Sequence, residues 1–122
     1  MAKILTVEDE PLVRMLIVQA LEDAGHSVLE APDGEAALLL VNDTPELDLV
    51  VSDVRMPRLG GYQLAQAVRQ LRPKTLFLFM TGYSKEQLPE DLKGAKIMQK
   101  PFDPDELVAN VERLLGKETR KP

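Results

Sequence analysis

The chain has 122 residues, 44% of them hydrophobic, which suits one domain with a real core and argues against disorder. Fifteen Lys and Arg against twenty Asp and Glu give a net charge of -5, which weighs against non-specific nucleic-acid binding through phosphates, and the lack of cysteine excludes disulfides and zinc–thiolate sites. No stretch approaches the roughly 18 consecutive apolar residues of a bilayer span, and Met1-Ala2-Lys3 runs straight into a strand without a signal-peptide core, so a cytoplasmic location away from membranes is expected.

Lys3-Ile4-Leu5-Thr6-Val7 reads as a strand ending on Glu8-Asp9-Glu10. Pro11 suits a helix start, where its missing N–H costs little, and Leu12, Met15, Leu16, Val18, Ala20 and Leu21 recur at helical spacing with Gly25 as the stop. Residues 27–31 form a second strand, and Asp33-Gly34 turns the chain into a second helix over 35–41 that halts between Asn42 and Pro45. Leu49-Val50-Val51-Ser52-Asp53 is an apolar run closed by a carboxylate, the pattern of a strand buried on both faces of a parallel sheet. After Gly60-Gly61, Leu64, Ala65, Ala67, Val68 and Leu71 mark a third helix that ends before Pro73. Residues 75–80 make a fourth strand leading into Thr81-Gly82-Tyr83. Residues 84–92 are weakly helical and hold Pro89, so a fourth helix should be short or irregular. A fifth strand around Ile97-Met98 runs into Lys100-Pro101. The last helix has Asp103 as N-cap, Pro104 at N1, Glu106 at N3, and a buried stripe of Leu107, Val108, Val111, Leu114 and Leu115; Gly116 is its expected end and 117–122 a frayed tail.

Five strands alternating with about five helices imply an α/β fold, a doubly wound five-stranded parallel sheet of the flavodoxin type, since parallel neighbours need right-handed crossovers. One domain over 1–122 accounts for the chain, without repeat or linker. In open α/β sheets ligands bind at the carboxyl edge of the strands. There Glu8, Asp9 and Asp53, the Thr81 hydroxyl and the Lys100 ammonium would meet. Each also has an ordinary explanation: acids after strands are usually solvated turns favoured by a helix N-terminus, Asp53 and Thr81 could serve turns, and Lys100 could be a surface lysine. Four such accidents, each at the carboxyl end of a strand of one sheet, are improbable together. His26, without ligand-type spacing around it, is expected on the surface or in a loop, and the five methionines as core filler.

Val7-Glu8-Asp9-Glu10-Pro11, Asp53 followed by Met56-Pro57 and Gly60-Gly61, then Thr81, then Lys100-Pro101-Phe102 come in an order that resembles the CheY-like receiver domain of two-component response regulators, over essentially the whole chain. Phe79-Met80-Thr81-Gly82-Tyr83, with the weak fourth helix and no effector domain, is similar to the Phe-x-Thr-Gly-Tyr (FATGUY) subclass of single-domain receivers. The resemblance implies a phosphoacceptor, not an enzyme, that assists its own phosphorylation and dephosphorylation. Asp53 would take a phosphoryl group from a phosphohistidine of a histidine kinase or histidine phosphotransfer protein. Glu8, Asp9 and Asp53, with the backbone carbonyl of Arg55, would hold Mg²⁺, while Lys100 and Thr81 would bind phosphoryl oxygens. The charges agree with those roles, because like unit charges about 4 Å apart repel by roughly 4 kcal/mol at an intermediate effective dielectric, so a phosphoryl dianion cannot approach uncompensated carboxylates. The resemblance also makes Lys100-Pro101 a candidate cis bond.

Output would then pass to an unidentified downstream protein by contact, or the chain would act as a phosphoryl sink. An excised receiver module of a hybrid histidine kinase would read the same way. A phosphohydrolase of the haloacid dehalogenase type needs a second acid two residues beyond its nucleophile, where this chain has Arg55, and a flavodoxin-like cofactor binder has a phosphate loop where Glu8-Asp9-Glu10 would repel phosphate. Three positions before Lys100, where many receivers carry a mobile aromatic, stands Ile97. The segment from Thr81 to Leu92 is therefore expected to be the moving part, loose before phosphorylation and ordered after it.

Overall fold

Alternation along the strands sets the architecture of the computed structural model, which describes residues 1–83 and 85–119, with 117–119 described by backbone alone. Strands β1 (Lys3–Val7), β2 (Ser27–Ala31), β3 (Leu49–Asp53), β4 (Leu76–Thr81) and β5 (Lys96–Gln99) are all parallel and lie in the order β2-β1-β3-β4-β5. Successive side chains point to opposite faces and so feed two cores. Leu5, Val7, Val50, Phe77 and Phe79 enter one, which α2 (Gly34–Asn42) and α3 (Gly61–Leu71) cover with Ala37, Val41, Leu64, Ala65 and Val68. Ile4, Leu49, Val51, Leu78 and Met80 enter the other, covered by Ile17 and Leu21 of α1 (Pro11–Asp23) and by Leu107 and Val111 of α4 (Pro104–Thr119). This is the expected doubly wound sheet. Its order places β1 and β3 side by side at the switch point, where the crossovers leave on opposite faces and a crevice opens at the carboxyl edge.

Local chemistry explains most helix ends. Asp33 caps α2 by accepting the Ala36 N–H at 2.8 Å, and Asp103 accepts the Asp105 N–H at 2.9 Å at the start of α4. Past α1 the chain turns through Gly25 at φ +95, a conformation that only glycine adopts without strain.

The fourth crossover holds a 3-10 turn, Glu90–Leu92, the short and irregular element expected there, because Pro89 precedes it and little of the segment is apolar. Three expectations are corrected. Helix α4 does not stop at Gly116 but runs to Thr119, since an isolated glycine weakens a helix by about 1 kcal/mol without ending it. The frayed tail therefore fails for 117–119, and 120–122 lie outside the described residues. Core filler does not describe every methionine, since Met1 and Met15 are exposed at 99% and 57%; Leu12 and Leu16 beside Met15 on α1 are exposed as well, while Ile17 and Leu21 are the residues that helix buries.

The third concerns His26, which lies in the loop between α1 and β2 as expected but is buried and not on the surface: its Nδ1 accepts the Ala2 N–H at 3.1 Å and its Nε2 lies 2.7 Å from Glu112 Oε2, so the ring joins the start of β1 to α4.

Candidate functional site

The loops after the strands are pinned before any side chain is considered. Glu8 N–H bonds the Ala31 carbonyl at 3.2 Å, Val54 N–H the Met80 carbonyl at 2.9 Å, and Lys100 N–H the Thr81 carbonyl at 2.6 Å, so each strand end is fixed by its neighbour. The β3–α3 loop folds back through the Gly61 N–H to the Val54 carbonyl at 2.8 Å. A side chain at Gly61 would collide with the Asp53 carbonyl, which explains the need for glycine at that position beyond loop geometry. Ser52 Oγ donates to the same carbonyl at 2.9 Å.

On this frame the carboxylates of Glu8, Asp9 and Asp53 offer one oxygen each, all within 4.8 Å of one another. Glu8 is fully buried, Asp53 nearly so, and Asp9 is exposed. Lys100 Nζ lies 3.0 Å from Glu8 Oε1 and 3.1 Å from Asp53 Oδ1, and the second Glu8 oxygen accepts the Glu10 N–H at 3.1 Å. Burial pushes the Glu8 and Asp53 carboxyls above the usual carboxylate range, although the Lys100 hydrogen bonds oppose the shift. For Lys100 itself burial disfavours the charge, but its bonds to the two acids outweigh this and raise its pKa. Three carboxylates share one ammonium here. The deficit of positive charge, with hard oxygen donors from three residues converging on one point, fits Mg²⁺. The Lys100–Pro101 bond is cis.

Thr81 reaches the rim but is otherwise engaged. Its hydroxyl donates to Glu86 Oε1 at 3.4 Å and accepts the Tyr83 N–H at 3.1 Å. Arg55 sends its side chain away from the acids: Nη2 pairs with Glu86 Oε1 at 3.1 Å, and the guanidinium lies 5.7 Å from the centre of the Tyr83 ring. Ile97 packs into the α2/α3 core and pairs in register with Phe79, against which the Tyr62 ring stands edge-on with ring centres 4.9 Å apart. The Tyr62 hydroxyl donates to Glu86 Oε2 at 2.9 Å, and its pKa is raised by burial and then by that carboxylate.

The structure thus brings Glu8, Asp9, Asp53 and Lys100 together and places Thr81 beside them, facing its own loop. Sequence reasoning missed Glu86 and Tyr62. Neither lies in a motif, and the segment around Glu86 carries no periodic signal; only its charge, in a stretch otherwise read as loose, offered a hint. It also treated the segment after β4 as unanchored, whereas Glu86 ties it to the β3–α3 loop, α3 and β4, and Asp91 receives bonds from Gln66 and Arg69.

Comparison with known proteins agrees with this geometry. The family model of the response regulator receiver domain matches residues 4–112. The chain is 38% identical over 122 residues to the sensor kinase CckA of Brucella abortus, a match covering 96% of the chain and 13% of the kinase. It is 32% identical over 118 residues to the response regulator receiver protein CpdR of Brucella abortus, covering 94% of the chain and 98% of that protein. The crystal structure of the response regulator TrrA from Thermotoga maritima, in complex with magnesium and beryllofluoride, superposes with a TM-score of 0.82 at 31% identity over 93% of this chain and 99% of that one. Sheet order, acidic rim and full-length similarity lead to one conclusion: the chain belongs to the response regulator receiver domain family.

Proposed function

We propose that the chain is the phosphoacceptor of a two-component system, taking a phosphoryl group on Asp53 from a phosphohistidine. The observation that carries this reading is the buried Asp53 carboxylate, 3.1 Å from Lys100 and within 4.8 Å of two further acids. In the transfer an Asp53 oxygen forms the new bond to phosphorus as the phosphorus–nitrogen bond breaks, and the donor imidazole leaves with the electron pair and gains a proton. Lys100 meets the incoming phosphoryl charge, and Thr81 offers its hydroxyl to one oxygen. Glu8, Asp9 and Asp53, with the Arg55 carbonyl, would hold Mg²⁺, which when bound compensates the charge of the acids and the phosphoryl group. The residues supply position and neutralisation rather than covalent chemistry of their own.

A surface cleft supports a route for the donor. It has a volume of about 250 Å³ and is lined by Val13, exposed Leu16, Ile17, Pro101 and Phe102 together with Lys100, on the helix that also exposes Leu12 and Met15. Because Lys100 belongs both to the cleft and to the acidic rim, an apolar helix of a histidine kinase or histidine phosphotransfer protein seated there would bring its phosphohistidine beside Asp53. Phe79-Met80-Thr81-Gly82-Tyr83 and the replacement of a fourth helix by a 3-10 turn support the FATGUY subclass of cytoplasmic single-domain receivers. Residues 1–122 then act as one unit that assists its own phosphorylation and dephosphorylation, with output by contact with a downstream protein or by draining phosphoryl groups.

Radiolabelled transfer from a phosphorylated histidine phosphotransfer protein tests this reading. Label should appear on the wild type only with Mg²⁺, vanish in Asp53→Ala and fall strongly in Asp9→Ala. Label of unchanged level on Asp53→Ala would remove the nucleophile and the reading with it.

A further inference from the structure

Glu86 stands outside the acidic rim, yet its side chain is only 10% exposed and it holds three donors from three different elements. Tyr62 of α3 gives its hydroxyl at 2.9 Å, Arg55 of the β3–α3 loop its guanidinium at 3.1 Å, and Thr81 at the end of β4 its hydroxyl at 3.4 Å. A carboxylate this enclosed is costly unless hydrogen bonds compensate it, and three of its roughly four acceptor sites are occupied here. The three bonds are unequal. That to Thr81 is at the outer limit of a hydrogen bond, whereas the other two are of ordinary length.

We infer that Glu86 is a built-in competitor for the phosphoryl group, occupying the Thr81 hydroxyl and the Arg55 guanidinium until Asp53 is modified. This rests on the phosphoacceptor reading above and adds the regulation of that site. A hydroxyl has a single proton, and the oxygen of Thr81 already accepts the Tyr83 N–H, so the proton goes either to Glu86 or to a phosphoryl oxygen. A phosphoryl dianion on Asp53 also repels the Glu86 carboxylate, which adds to the exchange. Once Thr81 turns to the phosphoryl group, Glu86 loses one donor and faces a new like charge. The clamp on Tyr62 and Arg55 then opens, and with it the chain between β4 and the 3-10 turn. The device replaces a mobile aromatic at Ile97 by a carboxylate that changes partners.

Beryllofluoride in millimolar Mg²⁺ is the probe, titrated into wild type, Glu86→Gln, Tyr62→Phe and Glu90→Gln, with the Tyr83 backbone amide followed by NMR. Glu90 is an exposed acid four residues on, and its variant controls for the loss of one negative charge. Glu86→Gln should bind beryllofluoride about three- to tenfold more tightly, as expected for one partly screened charge, and its free-state Tyr83 amide should already lie part of the way toward the bound position. Tyr62→Phe, which removes a donor from Glu86 and nothing from Thr81, should shift both readouts in the same direction by about twofold, a fraction of one hydrogen bond to a charged acceptor. Glu90→Gln should match the wild type. Equal tightening in Glu86→Gln and Glu90→Gln, or none in Glu86→Gln, would overturn the competitor role while leaving the phosphoacceptor intact. A wild type that shows no response to beryllofluoride would sink both.

Discussion

From β3 to β4 the chain crosses through α3, which buries Leu64, Ala65 and Val68 completely against the sheet. From β4 to β5 it crosses through a segment whose buried apolar anchor is Leu92, with Leu88 and Ala95 packed partly buried on the core, and which is held besides by hydrogen bonds from Thr81, Tyr62, Arg55, Gln66 and Arg69. Both connect parallel neighbours on the same face of the sheet. The first is fixed by burial, which changes only if water is admitted to a core. The second is fixed by polar bonds whose donors can find other acceptors at little cost, since a typical one contributes about 1 kcal/mol net. A segment that must respond to a new charge at Asp53 is better built the second way, and the fold keeps apolar packing for the crossovers that must not move.

The contrast can be broken most directly at Leu64. Leu64→Ala should cost about 2–5 kcal/mol in urea unfolding, because the residue is fully buried and leaves a cavity. If that loss fell within about 1 kcal/mol of zero, the distinction between the two crossovers would have no energetic basis. Lys100→Ala comes next, at about 1–3 kcal/mol without divalent cation, because it strips the ammonium paired with the buried Glu8 and Asp53 carboxylates. Added Mg²⁺ should narrow that deficit; the same loss with and without the ion would mean that charge compensation is not what Lys100 supplies. The smallest global effect is expected for Glu86→Gln, within about 1 kcal/mol, while amide exchange in residues 85–92 accelerates on the order of tenfold. Unchanged exchange there would show that the segment is held without Glu86, by Leu92 and the bonds to Asp91.

Much of this was legible in the sequence because the strands are short, strongly apolar and end on chemically distinctive residues. Asp53 closes a strand whose residues are all buried, and Glu8, Thr81 and Lys100 close three others, so placing the strands placed the rim. What stayed hidden depends on partners far apart in the chain. Leu12, Met15 and Leu16 have the spacing of a core stripe, but spacing marks a face without saying whether it meets the sheet or water. Gly116 has the composition of a stop but lies within α4. Glu86 finds Arg55 31 positions away and Tyr62 24 away, pairings that no local window contains.

His26 closes the longest of these loops, reaching Glu112 across 86 positions while also accepting the Ala2 amide. It is the only histidine in the chain. Its imidazole therefore contributes a single set of aromatic ring resonances with no other histidine to confuse them, and those protons sit where β1, β2 and α4 meet. One-dimensional proton spectra of unlabelled protein can follow the attachment of the last helix to the first strands through that one signal. Because helix formation alone does not create this environment, the resonance distinguishes a chain with its long-range contacts in place from one that has only local structure.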